Sequence, residues 1–220
     1  MESSSVENKP ILYALTVMEP FATCIIDGPK RLENRTYPLD ISSLIAKSGA
    51  SVSSKGVWIA IHVSSSKRNL NKNDPTCLII KLQCWEQLPS ADELKQKNNF
   101  GKIIGVARFI DCLKAEDVPD DNVWKGDDGN SGSGKKQRYC WIIDEVKALE
   151  RPIECKGNTG IWQVDDQIAK QLYEEISCFV DGAAYRGLIS EDDVYYPEII
   201  DKSKILDTLK DFLPTSSITP

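Results

Sequence analysis

The order and length of the apolar runs predict an α+β chain, built as a small mixed β-barrel surrounded by helices. Three observations carry this expectation. The β-type runs are short, they alternate with helical segments in no regular order, and glycines fall at their bends. A doubly wound parallel sheet is the runner-up. It lacks the Gly-x-Gly-x-x-Gly turn such a sheet uses for a dinucleotide, and the sequence has no Walker loop, nucleophile elbow or metal-binding helix either.

Taken in order, Ile11–Val17 reads as a strand, and Glu19-Pro20 opens a helix whose apolar positions are Phe21, Ile25 and Ile26. Gly28, able to adopt a positive φ, and Pro29 stop it and release Lys30 into a new strand. Asp40 is placed to cap a short helix to Lys47, and the serine-rich 48–55 is a loop. Val57–Val63 (VWIAIHV) is nearly continuous in apolar residues, as a strand covered on both faces would be. A helix is expected over Pro75–Leu88, with Cys77, Ile80, Cys84 and Leu88 on one face, and a second over Ser90–Lys97, opened by a Ser90/Glu93 capping box. Ile103–Leu113 is a long strand with a bend at Gly105, and 117–138 is a long polar loop. Tyr139–Ile143, Arg151–Cys155 and Ile161–Val164 read as further strands. A helix follows from Asp165 to about Cys178, then an acidic stretch and a last amphipathic helix over Lys202–Phe212.

Composition narrows the function classes. Seven cysteines occur singly with no Cys-x-x-Cys pair, and His62 is the only histidine, which argues for reduced thiols inside a cell, nuclear or cytoplasmic, and against a zinc site. No signal peptide or membrane-length apolar run is present, and no cofactor is expected. The net charge of −6 conceals an asymmetry: residues 1–160 carry 22 Lys/Arg against 21 Asp/Glu, and residues 161–220 carry 5 against 12. A near-neutral body leaves room for a local basic groove, because a polyanion responds to the local field more than to the total.

The sharpest local signal is Gly28-Pro29-Lys30-Arg31-Leu32-Glu33-Asn34-Arg35. On a strand, Glu33 and Arg35 share a face, and Lys30 at the strand entrance can reach the same carboxylate. A donor–acceptor–donor set of this kind suits a small polar or anionic ligand. The plainer alternative is a surface strand with ordinary ion pairs.

These residues belong to a longer series: Leu15-Thr16-Val17 with Glu19-Pro20-Phe21-Ala22, the Gly28-x-Lys30-x-x-Glu33-x-Arg35 element, Gly56-Val57-Trp58-Ile59-Ala60, Ile104-Gly105-Val106 with Asp111-Cys112, and Pro152-Ile153 with Lys156-Gly157 and Gly160-Ile161-Trp162. In order and spacing the series resembles the ASCH domain, a family of the PUA-like superfamily, in the version carried by a transcription coactivator. The resemblance divides the chain into a disordered 1–9, an ASCH domain over 10–166 and an acidic, partly helical extension over 167–220. It implies a PUA-like β-barrel with a central cleft into which Lys30, Glu33 and Arg35 point beside the Lys156-Gly157 turn. It also implies RNA or DNA as the ligand, in transcription coactivation or RNA metabolism, with protein partners in a coactivator-like complex as the alternative. Some bacterial members cleave RNA or deacetylate a modified cytidine. The deacetylating members carry threonine where this chain has Glu33, so that activity is not expected here.

Chemistry weighs the same way. Lys30 as base or nucleophile, with Glu33 beside it, is the enzyme alternative, hydrolysis of a modified nucleoside or RNA; an adjacent carboxylate stabilises the ammonium and opposes that role. Binding is favoured over catalysis. Trp58 or Trp141 would supply a stacking face, and His62 and Ser64, at the end of the VWIAIHV strand, complete the candidate ligand-binding set with Lys156 and Gly157. Candidate phosphate contacts are Lys67 and Arg68 after that strand, and Lys135, Lys136 and Arg138 at the end of the polar loop.

Overall fold

The computed structural model describes residues 12–48, 56–126 and 137–177, the last five as backbone only. Lys135, Lys136, Cys178, the expected N-terminal tail and the expected 202–212 helix lie outside the described residues. Among the described residues, six strands form one mixed sheet: β1 (Tyr13–Val17), β2 (Leu32–Arg35), β3 (Val57–Val63), β4 (Lys102–Lys114), β5 (Tyr139–Glu154) and β6 (Ile161–Gln163). Their spatial order is β2-β5-β4-β3-β1-β6; β1 and β3 run parallel and the other neighbours antiparallel. The helices are α1 (Phe21–Ile26), α2 (Ile41–Ser48), α3 (Thr76–Gln83), α4 (Ala91–Lys97) and α5 (Asp166–Ser177). The α+β class and the mixed sheet are as the sequence predicts.

The sheet curls instead of closing through a ladder. Its edges are β2 and β6, yet Arg35 at the end of β2 donates to the carbonyl of Thr16 in β1, 3.2 Å away. Tyr37, just past β2, lies so near Gly160 that a Cβ there would sit 3.4 Å from the phenol oxygen. Register shifts between β4 and β5 at Ile103/Gly105, Arg108/Phe109 and Phe109/Asp111 supply the bending, as bulges do. The bend expected at Gly105 is the first of these. A Cβ on Gly105 would lie 2.5 Å from Lys147 O, so glycine is needed there for close strand approach.

Two predicted elements differ. Arg151–Cys155 is not a separate strand: β5 runs unbroken from Tyr139 to Glu154, because β4 pairs with it at both ends, from Lys114↔Tyr139 to Lys102↔Glu154, across a bulge over 149–152. The helix expected over Pro75–Leu88 ends at Gln83; Trp85 and Leu88 follow in a turn, where Leu88 is still fully buried. Local devices hold as read, including the Ser90/Glu93 capping box and the Asp40 cap, whose carboxylate accepts from Ser43 N at 2.9 Å.

Strand alternation sorts side chains onto two faces. Leu15, Val17, Ile59, Ile61, Phe109, Trp141 and Ile143 pack inside the curl with α1 and α2. Ala14, Ala60 and Val106 point the other way, against Ala169 and Leu172 of α5. The first helix of the acidic extension is therefore packed onto the sheet. Among the described residues, no helix is long and apolar enough to cross a membrane, and no cluster of His, Cys, Asp or Glu is placed to hold a metal ion.

Candidate functional site

The turn after α1 presents the charged cluster. Lys30 N closes it by donating to Cys24 O at 3.0 Å, and Arg31 Nη1 donates to the carbonyls of Ile25, Gly28 and Lys30. Gly28 does not use a positive φ. It is required for space, since a Cβ would lie 2.7 Å from the Trp85 ring and 2.9 Å from Cys24 O.

Lys30, Glu33 and Arg35 meet as their spacing predicts. Glu33 Oε2 accepts from Lys30 Nζ at 2.8 Å, and Glu33 Oε1 lies 2.9 Å from Arg35 Nη2. The result is no surface strand of loose ion pairs: Lys30 is 2 % exposed and Glu33 6 %. Lys30 Nζ also donates to Leu32 O and lies 5.9 Å from the Trp124 ring centroid. Burial alone pushes the Glu33 carboxyl up. The cations and hydrogen bonds of Lys30 and Arg35 outweigh it and hold the group below the usual carboxylate range. Arg35 is the open end of this chain of charges, with a fifth of its side chain exposed and its Cζ 5.8 Å from the centroid of the Trp141 ring. Its Nε is buried without a hydrogen-bond partner among the described residues.

Thr16, absent from the sequence-derived set, is the junction of the site. Its carbonyl holds Arg35; its hydroxyl donates to Asn158 O at 2.6 Å and accepts from Trp162 Nε1 at 3.2 Å. His62 Nδ1 lies 3.2 Å from the same oxygen, and His62 Nε2 lies 3.2 Å from Cys155 O. Thr16 thus ties the 155–160 turn to the strand that carries the guanidinium contact. A lone threonine in an apolar run gives no sequence signal for such a role, since its partners lie 46 and 142 residues away.

The remaining expected residues divide. Gly157 covers His62 so closely that a Cβ would lie 2.1 Å from His62 Cε1, and His62, 2 % exposed, is closed to a ligand. Burial lowers its pKa below the ordinary imidazole value, although the carbonyls of Cys155 and Gly101 act to raise it. Trp141 is fully buried beneath Arg35 and Tyr37 and offers no stacking face. Trp58 is on the face of β3 opposite the triad, between Arg108 and Lys147, whose cationic groups lie 5.6 and 5.5 Å from its ring centroid. Ser64 is half-buried at the end of β3, where its N donates to Val17 O at 2.8 Å and its hydroxyl accepts from Ser66 N. The loop bearing exposed Lys67 and Arg68 therefore leaves the sheet one residue from Thr16. Lys156 is exposed on its turn, and Arg138 is half-buried, its Nε without a hydrogen-bond partner among the described residues.

One open groove, of about 550 Å³, lies elsewhere, between Asp27–Pro29 and the Cys84–Gln87 segment. Its charged lining groups are the carboxylates of Asp27 and Glu86, which do not suit a polyanion.

No protein-family model matches the chain, and no curated protein matches it. Solved structures do. The chain is similar to a crystal structure of a serine-to-alanine mutant of the ASCH protein of Zymomonas mobilis, with 11 % identity, a TM-score of 0.41, and 76 % of this chain and 96 % of that one covered. It is likewise similar to a structure titled simply as ASCH from that organism (11 % identity, TM-score 0.40, 74 % and 93 % covered) and to a tyrosine-to-phenylalanine mutant (11 %, 0.40, 74 % and 96 %).

Proposed function

We propose that this chain is an ASCH-type, PUA-like domain that binds RNA or DNA at the Arg35 end of the Lys30–Glu33–Arg35 chain, in transcription coactivation or RNA metabolism. The observation that carries this reading is the asymmetry of the three charges. Two are closed inside the protein, while the third, fixed by Glu33 and Thr16, keeps a fifth of its side chain exposed. A cation held in advance is suited to phosphate or to a base edge, because little rotamer freedom remains to be lost on binding. Exposed Lys67 and Arg68, on the loop after β3, and Lys156, on the turn after β5, are candidates for further phosphate contacts. The five ordered motifs support the family reading. Hydrolysis of a modified nucleoside is the weaker alternative, since Lys30 spends its donors on Glu33 and Leu32 O and has no opening to solvent.

Fluorescence anisotropy with short single-stranded RNA and DNA across a salt series tests the proposal. Binding should weaken as salt rises, and Arg35→Gln should lower affinity by about tenfold or more, the usual worth of a charge-assisted contact. Unchanged affinity in a folded Arg35→Gln protein would remove the site, and no binding of either strand would remove the function. If only protein partners are captured, the interaction-module alternative stands.

A further inference from the structure

Four large apolar side chains are markedly exposed among the described residues: Met18, Tyr37, Leu78 and Ile79. Tyr37 alone is aromatic, and it stands at the candidate site. Its ring centroid is 5.3 Å from that of Trp141, at an interplanar angle of 77°, and Trp141 Nε1 donates to Tyr37 O at 3.2 Å. Arg35 rests against the same buried indole. The guanidinium and the phenol thus lean on one rigid ring, while Gly160 abuts the phenol oxygen from the β6 side.

A perpendicular neighbour covers at most one face of the phenol ring, and Tyr37 remains 37 % exposed. The tryptophans are all less exposed than Tyr37. Trp141 and Trp124 are buried, Trp58 is held between two cations on the opposite face, Trp162 donates to Thr16, and Trp85 is wedged against Gly28.

We infer that Tyr37 is the stacking platform of the site, which takes an unpaired nucleobase of a single strand on the phenol face while Arg35 holds the adjoining phosphate or base edge. This rests on the nucleic-acid reading above and narrows it: a base paired and stacked in a duplex has no free face to give, so the ligand is single-stranded. Any base satisfies the contact, so the platform confers preference for single strands and no sequence code of its own.

The test compares the full chain with Tyr37→Ala, Tyr37→Leu and Tyr37→Phe on two strands of equal length, about ten nucleotides: oligothymidylate, and an abasic strand with the same phosphates. Tyr37→Ala and Tyr37→Leu should each weaken oligothymidylate binding by about tenfold or more and leave the abasic strand within about twofold, with Tyr37→Phe close to wild type. Tyr37→Leu keeps an apolar contact on Trp141, so it remains informative if the alanine variant is poorly folded. Equal losses on both strands would make the ring a structural prop and overturn the inference; so would no loss on either. If the unmutated protein binds neither strand, the nucleic-acid reading itself fails and takes this inference with it. That result cannot be confused with wild-type binding that ignores Tyr37.

Discussion

Replacing Glu33 by Gln removes the one negative charge between two cations while keeping the side chain's volume and one acceptor. In the native protein the carboxylate sits 2.8 Å from Lys30 Nζ and 2.9 Å from Arg35 Nη2, with its side chain 9 % exposed. The variant leaves a buried ammonium facing a guanidinium with no counter-charge. Removing one member of a buried ion pair costs about 3–5 kcal/mol, and the partial exposure of Arg35, which lets that cation turn to water, points to the lower end. A loss near 3 kcal/mol is a large share of the ~5–15 kcal/mol that holds a domain together. It would lower the urea midpoint by about 1–2 M at an m-value of about 2 kcal/mol/M. Lys30→Met should cost less, about 1–3 kcal/mol, because Glu33 keeps Arg35. Urea unfolding followed by tryptophan fluorescence reads both.

The sign with pH follows from the depressed Glu33 carboxyl. Its contribution is complete above the ordinary value of 4.5 and is lost as the pH falls through its lower folded value. The gap between wild type and Glu33→Gln should therefore be wide at neutral pH and should narrow below 4.5. A gap under about 1 kcal/mol at neutral pH, or one that does not narrow in acid, would refute the view that this charge is held inside by its two partners.

Three further outcomes are expected. His62, the only histidine, gives unambiguous imidazole signals by NMR; it should titrate below 6.5, and stability should begin to fall as the pH drops through 6.5, where the unfolded chain takes up a proton that the buried ring refuses. Gly157→Ala should cost about 1–3 kcal/mol by thermal or urea unfolding, since the new methyl must displace the His62 ring or its own turn; a neutral effect would show that the turn is not seated on the ring. Native-state alkylation should be slow at Cys77, Cys84 and Cys155, whose thiols burial pushes up to about 11, and at buried Cys24 and Cys140. Rapid modification by a thiol reagent at neutral pH, read by peptide mass, would contradict that.

Local rules determined the parts of this protein that depend on near neighbours. Strand alternation alone put Glu33 and Arg35 on one face, the Gly28-Pro29 stop delivered Lys30 to the same carboxylate, and Ser90 with Glu93 announced a helix start. What that cluster is for depended on burial, which no short window contains. A solvated strand stays an alternative for Lys30 and Glu33 in the sequence, and only burial in the curled sheet, with the Trp124 ring beside Lys30, closed water away from them. The tryptophans show the same division. Trp58 and Trp141 both stand on apolar strands, but the pairing of β3 with β4 and of β5 with β2 decided which face of the sheet each ring would occupy. Thr16 and Tyr37 escaped notice because their meaning lies in contacts across the chain, with Asn158, His62, Trp141 and Gly160. Sequence sets which groups a strand can offer at each step, while the closing of distant strands sets which are shut in and which are left facing a ligand.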